Sequence, residues 1–374
     1  MFIITKSRHA AYRLLFCAGA LILAACSGSA PAQITVDTDS PAPSGTPGEL
    51  GALPALPLPT QTQTAVPTPT ITPTVTPPHP LSIDYLKQQS YSGELLVEEV
   101  LEPEDTYQRF IVSYLSEGNK NYALLTVPLG DPPETGWPVI VFNHGSIPPD
   151  VYRTTQGYEK YVHAFAENGY IVLRPDYRGH GNSEGEPRNT YFHPGNTIDV
   201  LNAVAAVKKW EGADPQRIGI WGHSMGGWIT LRAMIVDPDI RVGVIWAGVI
   251  GSYNDLCVYW FNCENWDEQT WTFWSETPFA EFGLPSENKP FWEAASMDTY
   301  LSELHSPVQL HHAESDTVVP VALSRVMYEK MLALGIEVEF NQYPGDDHNI
   351  SQTFDLAMKR SLRFFDIHLK GLQQ

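Results

Sequence analysis

Basic side chains are scarce in this sequence: 23 Lys and Arg stand against 43 Asp and Glu, a formal charge of −20 over 374 residues. A nucleic-acid backbone is held by Lys and Arg that displace its counterions, so the deficit excludes nucleic acid as a partner. Cysteine is scarcer still. Four are too few for a disulfide scaffold, and no cluster of His and Cys supplies the three or four ligands of a zinc site. The reading therefore needs no metal and no organic cofactor. Multispan membrane protein, coiled coil and collagen are excluded by composition. What the chain does have is 43% apolar and 11% aromatic residues, enough for a sizeable core, which excludes wholesale disorder. Its length allows two domains of roughly 150 residues or one α/β domain of about 250–300.

The N-terminus is a separate piece. Lys6, Arg8 and Arg13 precede an apolar run of twelve residues, 14–25, too short to cross a bilayer core of about 30 Å. The run ends in Leu23-Ala24-Ala25-Cys26, which resembles the bacterial lipobox. The resemblance implies that residues 1–25 are a lipoprotein signal peptide and that Cys26 carries lipid. The body is then extracytoplasmic and membrane-anchored, or secreted if Cys26 is not lipidated. Residues 26–80 are rich in Pro and Thr, and 27–80 contain no Lys or Arg. Proline fixes φ and lacks an N–H, so this reads as a disordered, extended stalk with a reach on the order of 150 Å. Removing Cys17 and Cys26 leaves Cys257 and Cys263, which in an oxidising compartment are expected to form a disulfide.

The folded part, 81–374, opens with three alternating runs, 94–100, 109–114 and 122–127, read as an antiparallel meander. Beyond Gly136 strands and helices alternate. The pattern predicts strands at 139–143, 169–174, 217–222, 242–247, 308–312 and 337–343. Helices are predicted at 157–168, 197–210, 225–236, 321–334 and 351–369. Short apolar strands alternating with helices give a doubly wound, mostly parallel sheet. Residues 251–306 interrupt it as a loop-rich insertion.

The sharpest local signal is Gly222-His223-Ser224-Met225-Gly226-Gly227, directly after a predicted strand and at the start of a helix. Glycines at this spacing permit a sharp turn that exposes Ser224 beside a helix N-terminus, where developing negative charge is favoured. A serine hydroxyl attacks only when a histidine removes its proton and an acid holds that histidine in one tautomer. Asp316 follows the strand at 308–312 and His348 follows the last strand. Both emerge at the C-terminal sheet edge that carries Ser224, where open α/β sheets place their sites.

The rivals are weaker. Glu314 could replace Asp316 but sits nearer the strand end. Asp346 and Asp347 are too close to His348 to orient it and are expected to shape its turn. His311 and His312 lie within a strand and read as satisfied core or edge histidines. His180 reads as structural, and His223, His305 and His368 have no constellation around them. The oxyanion of acyl transfer needs two backbone donors. Met225 N–H is one, and the second comes from Asn143-His144-Gly145-Ser146, with Ser146 N–H first and Gly145 N–H second. Arg178 reads as buried scaffolding rather than a substrate contact, and Tyr152, which could add an oxyanion hydroxyl, reads first as surface packing.

Residues from about 120 to 370 resemble the α/β-hydrolase superfamily. The strings Asn143-His144-Gly145, Asp176-Tyr177-Arg178-Gly179-His180-Gly181, Gly222-His223-Ser224-Met225-Gly226-Gly227 and Asp316-Thr317-Val318-Val319-Pro320 are most similar to its prolyl oligopeptidase-like branch. The resemblance implies an α/β-hydrolase fold and a serine hydrolase that cleaves acyl bonds, a serine peptidase in the first instance. The short meander in place of that branch's large propeller also admits a carboxylesterase of small or aromatic acyl esters. The substrate is then a small ester or peptide. A surface lipoprotein that binds without turnover is the reading outside enzymes. In such a fold the 251–306 insertion is a cap, and its Trp260, Trp266, Trp271, Trp274 and Trp292 pack it to the body or line an acyl pocket.

Overall fold

The computed structural model describes residues 77–263 and 277–373. The expected signal peptide, Cys26, most of the expected stalk, and Trp266, Trp271 and Trp274 lie outside the described residues. The first element is a short helix that sequence periodicity does not mark, α1 (Ile83–Lys87), with Ser82 Oγ accepting from Tyr85 N at 3.1 Å. Strands β1 (Leu96–Val100), β2 (Tyr107–Ser116) and β3 (Asn119–Pro128) then form the predicted antiparallel meander. Glu117 and Gly118, at φ 49° and 82°, make the tight turn between the last two.

The alternating part follows the predicted order: β4 (Trp137–Asn143), α2 (Glu159–Glu167), β5 (Ile171–Pro175), α3 (Gly195–Val207), β6 (Ala213–His223), α4 (Met225–Val236) and β7 (Ile240–Trp246). After β7 the chain leaves the sheet through α5 (Tyr253–Leu256), a π-helical turn (Cys257–Phe261), α6 (Pro278–Phe282), α7 (Lys289–Ala295) and a 3₁₀ turn (Met297–Glu303). It returns as β8 (Val308–Ala313), α8 (Val321–Ala333), β9 (Val338–Tyr343) and α9 (Phe354–Lys370). The nine strands lie in the order β1-β2-β3-β5-β4-β6-β7-β8-β9, parallel from β5 to β9, with the meander joined antiparallel through β3 and β5. This is the α/β-hydrolase fold.

The central stretches of β4 to β7 are mostly apolar because helices cover both faces. Val139, Val141, Ile218 and Ile220 face one core layer with α3 and α4, while Ile140, Phe142, Trp221 and Val244 face the other with α2 and α9. Helix α4 is buried almost all round, and α9 buries only one stripe, Met358, Ser361, Phe365 and Leu369 among it. Phe365 is fully buried, a contribution on the order of 2 kcal/mol.

The insertion between β7 and β8 is more helical than expected among the described residues. Its helices are only four to seven residues long, too short for a 3.6-residue period to show. They start instead on local devices: a capping box between Ser252 and Asp255, and Thr277 ahead of Pro278. Cys257 and Cys263 are joined by a disulfide across the π turn. Trp292 is packing, buried against Tyr253 and Phe279 at ring distances of 4.6 and 4.8 Å. Trp260 is half-buried and donates its Nε1–H to Val318 O at 2.9 Å, which ties the insertion to the loop after β8.

Candidate active site

Ser224 stands at the turn from β6 into α4 with φ 55° and ψ −119°, a conformation that non-glycine residues rarely adopt. The end of β7 pins that turn. Ser224 N–H donates to Trp246 O at 3.0 Å, and its carbonyl accepts from Gly227 N at 2.9 Å and Val249 N at 3.1 Å. Glycine is obligatory at 226, where a Cβ would lie 2.1 Å from Asn143 O. With the backbone fixed, the half-buried Ser224 side chain sits beside the first turn of α4, where the Met225 N–H has no intrahelical acceptor.

Asp316 follows β8 and His348 follows β9, and they meet. His348 Nδ1 lies 2.7 Å from Asp316 Oδ2. The carboxylate is wholly shielded from solvent, and its other oxygen accepts from Val318 N at 2.8 Å and Val319 N at 3.0 Å. Burial alone would raise the Asp316 pKa. The donors His312, His348 and the two backbone N–H groups outweigh it and hold the carboxyl well below the usual range. His312 was not expected here. It is fully buried at the end of β8, and its Nε2 lies 2.9 Å from Val319 O and 3.2 Å from Asp316 Oδ2. Its spacing of four residues ahead of an acid, across a strand end, is the signal that could have found it.

The rival groups go elsewhere. Glu314 is exposed. Asp346 accepts from Asp347 N, Gln352 N and Thr353 N, and Asp347 from Asn349 N and Ser351 N, so both shape the turn around His348. His311 is buried between Tyr343 Oη and Gln309 Oε1. His180 ties Arg178 O to Ile147 O, His305 is exposed, and His368 faces Glu337. His223 does not stand apart: it is buried, with its ring 4.7 Å from that of His348.

On the donor side, Gly145 N–H is already engaged with Tyr158 Oη at 2.9 Å. Ser146 is exposed at the same loop, and its N–H has no acceptor among the described residues. Tyr152 is not surface packing. It is 1% exposed and donates to Asp176 Oδ1 at 2.9 Å, because the 176–185 loop closes over it. Burial raises the Asp176 pKa to about 6, against the opposing pull of Thr154, Tyr152 and Arg174. Arg178 is scaffolding: it grips Asp199 through Nε at 3.0 Å and Nη2 at 2.7 Å, and Glu117 at 2.9 Å. No group of three or more His, Cys, Asp or Glu that could hold a metal ion is found among the described residues.

Comparison with known proteins finds a family and several relatives. Residues 157–372 fit the model of the prolyl oligopeptidase family, more than half of the chain. An uncharacterized peptidase, YuxL of Bacillus subtilis, is 26% identical over 234 residues, which cover 59% of this chain and 32% of that protein. The Pyrococcus horikoshii acylaminoacyl peptidase superposes with a TM-score of 0.57 at 23% identity, over 72% of this chain and 43% of that one. An acetyl xylan esterase from Paenibacillus sp. R4 gives 0.58 at 16% identity, over 75% and 91%. The chain thus spans about a third of the curated peptidase and under half of the acylaminoacyl peptidase. With the family match extending from the turn before α2 through α9, and so across Ser224, Asp316 and His348, this chain belongs to the prolyl oligopeptidase family.

Proposed function

We propose that the chain hydrolyses acyl bonds through Ser224, His348 and Asp316. The observation that carries this reading is the 2.7 Å pair between His348 Nδ1 and the buried Asp316 carboxylate, at the sheet edge where Ser224 is held at positive φ. The carboxylate fixes His348 as the Nδ1–H tautomer, which leaves Nε2 to take the Ser224 proton as Oγ attacks the carbonyl carbon. Met225 N–H and Ser146 N–H stabilise the oxyanion. His348 then returns the proton to the leaving group, and a water deprotonated by the same nitrogen releases the acyl group and regenerates Ser224.

The substrate proposed first is a peptide-like acyl donor, on the support of the family match. The second reading is a carboxylester, to which the half-buried Trp260 beside the Asp316 loop would offer an apolar surface. The test compares kcat/KM on p-nitrophenyl acetate and butyrate with that on aminoacyl and dipeptidyl p-nitroanilides, using the full chain, with Ser224→Ala as the blank. Efficient anilide cleavage supports the peptidase, ester turnover alone selects the esterase, and near-parental activity in Ser224→Ala removes the mechanism. We propose further that Cys26 is lipidated and the enzyme extracytoplasmic. The Cys257–Cys263 disulfide supports an oxidising compartment, and mass spectrometry of the mature N-terminus tests the anchor.

A further inference from the structure

Beneath the proposed triad, three loops distant in sequence converge on one buried imidazole. His223 Nε2 lies 3.1 Å from the backbone carbonyl of His348, and its Nδ1 lies 2.7 Å from Tyr158 Oη. The same phenolic oxygen lies 2.9 Å from Gly145 N. Only one proton assignment satisfies all three contacts. A carbonyl can only accept, so His223 Nε2 carries the hydrogen, Nδ1 of the neutral ring accepts from the Tyr158 hydroxyl, and Tyr158 Oη accepts from Gly145 N–H. Burial, with the nearby His348 second, lowers the His223 pKa to about 3 and keeps the ring neutral. That neutrality matters where its neighbour His348, 4.7 Å away ring to ring, gains a proton during turnover.

The surroundings leave no slack. Tyr158 reaches this position from a left-handed backbone at φ 62°. A Cβ on Gly145 would lie 2.6 Å from Tyr158 Oη, 3.1 Å from His223 Nδ1 and 3.3 Å from Ser224 Cβ. The chain Gly145–Tyr158–His223–His348 therefore joins the loop that carries Ser146, the serine turn and the histidine loop.

We propose that His223, with Tyr158 behind it, is a positioning residue for acyl transfer: its Nε2–H sets the His348 loop at reacting distance from Ser224, and its Nδ1 fixes the Ser146 loop through Tyr158. The proposal rests on the roles assigned above to Ser224 and His348.

Two substitutions separate its halves. His223→Gln keeps a donor near the Nε2 position and so the bond to His348 O. His223→Asn keeps an acceptor near Nδ1 but cannot reach His348. The expected result is a fall in kcat of about 100-fold for His223→Asn, the scale of a misplacement near 1 Å, with KM little changed. His223→Gln should stay within about fivefold of the parent, and Tyr158→Phe should fall between them. The downfield NMR resonance of the His348 Nδ1 proton should persist in His223→Gln and broaden or vanish in His223→Asn. Thermal unfolding of the three variants reports folding separately. Equal kcat losses in His223→Asn and His223→Gln, or a parental kcat and His348 resonance in His223→Asn, would overturn the proposal. Fluorophosphonate labelling of the parent but not of Ser224→Ala shows that the underlying mechanism stands when the positioning role fails.

Discussion

Replacing Asp316 by asparagine asks more of the site than the loss of a charge. Four donors converge on the carboxylate: Val318 N at 2.8 Å and Val319 N at 3.0 Å on Oδ1, His348 Nδ1 at 2.7 Å and His312 Nε2 at 3.2 Å on Oδ2. An amide brings one oxygen and two donor hydrogens. The backbone pair cannot turn away, so the oxygen goes to Val318 and Val319 and the NH₂ faces the two imidazoles. His312 retains Val319 O at 2.9 Å. His348 has no such alternative and must present a lone pair at Nδ1, which puts its hydrogen on Nε2, where the Ser224 proton should go. This wrong-tautomer penalty is about 10⁴ in kcat when the same change is made in chymotrypsin-type triads, or about 5.5 kcal/mol. The assay is kcat/KM on p-nitrophenyl acetate with Ser224→Ala as the blank, together with the melting temperature. A variant that melts with the parent and loses less than tenfold in kcat would refute this account of Asp316.

Three further outcomes are expected. Asp176 has its folded-state pKa raised from 3.8 to about 6, so the folded protein binds the extra proton. Its contribution to stability is complete below about 3.8 and is lost as pH rises through about 6, a swing of about 3 kcal/mol by pH 7. Thermal unfolding of Asp176→Asn from pH 4.5 to 8 should therefore show the variant gaining on the parent with rising pH, and parallel curves would count against it. Gly226→Ala sets a Cβ 2.1 Å from Asn143 O, and should cost about 3 kcal/mol and abolish fluorophosphonate labelling, read by melting and by rate. The double variant Cys257→Ser with Cys263→Ser opens a loop with a sequence separation of 6 and should lose about 2 kcal/mol. KM should rise more than kcat falls, because the freed turn carries the Trp260 contact to Val318; unchanged KM would show that contact to be idle.

The parts that sequence made legible are those whose physics is local. Strand texture, three glycines and a serine in one string point to the turn at Ser224. Asp316 and His348 followed from the rule that parallel strands deliver their C-terminal ends to one edge. What escaped depends on contacts no period encodes. His312 looked like one of two strand histidines, because alternation cannot say that the end of β8 curls back onto Asp316. Tyr158 reaches His223 across 65 residues from a left-handed backbone that the sequence of Gly157 and Tyr158 does not announce. Tyr152 reads from sequence as a surface residue because the glycine-rich loop that buries it gives no apolar signal. The insertion helices are too short to show a period, and their start depends on caps.

The order in which strands enter the sheet has a consequence in time. The serine turn follows β6, but Asp316 waits for β8 and His348 for β9, and α9 must still pack against β6 and β7 to close that side of the core. A chain emerging from the ribosome at about 5–20 residues per second presents its proposed nucleophile well before its proposed base. During that interval the proposed nucleophile lacks its proposed acid and base. On the proposed mechanism, competence waits for β9 and the His348 loop that follows it.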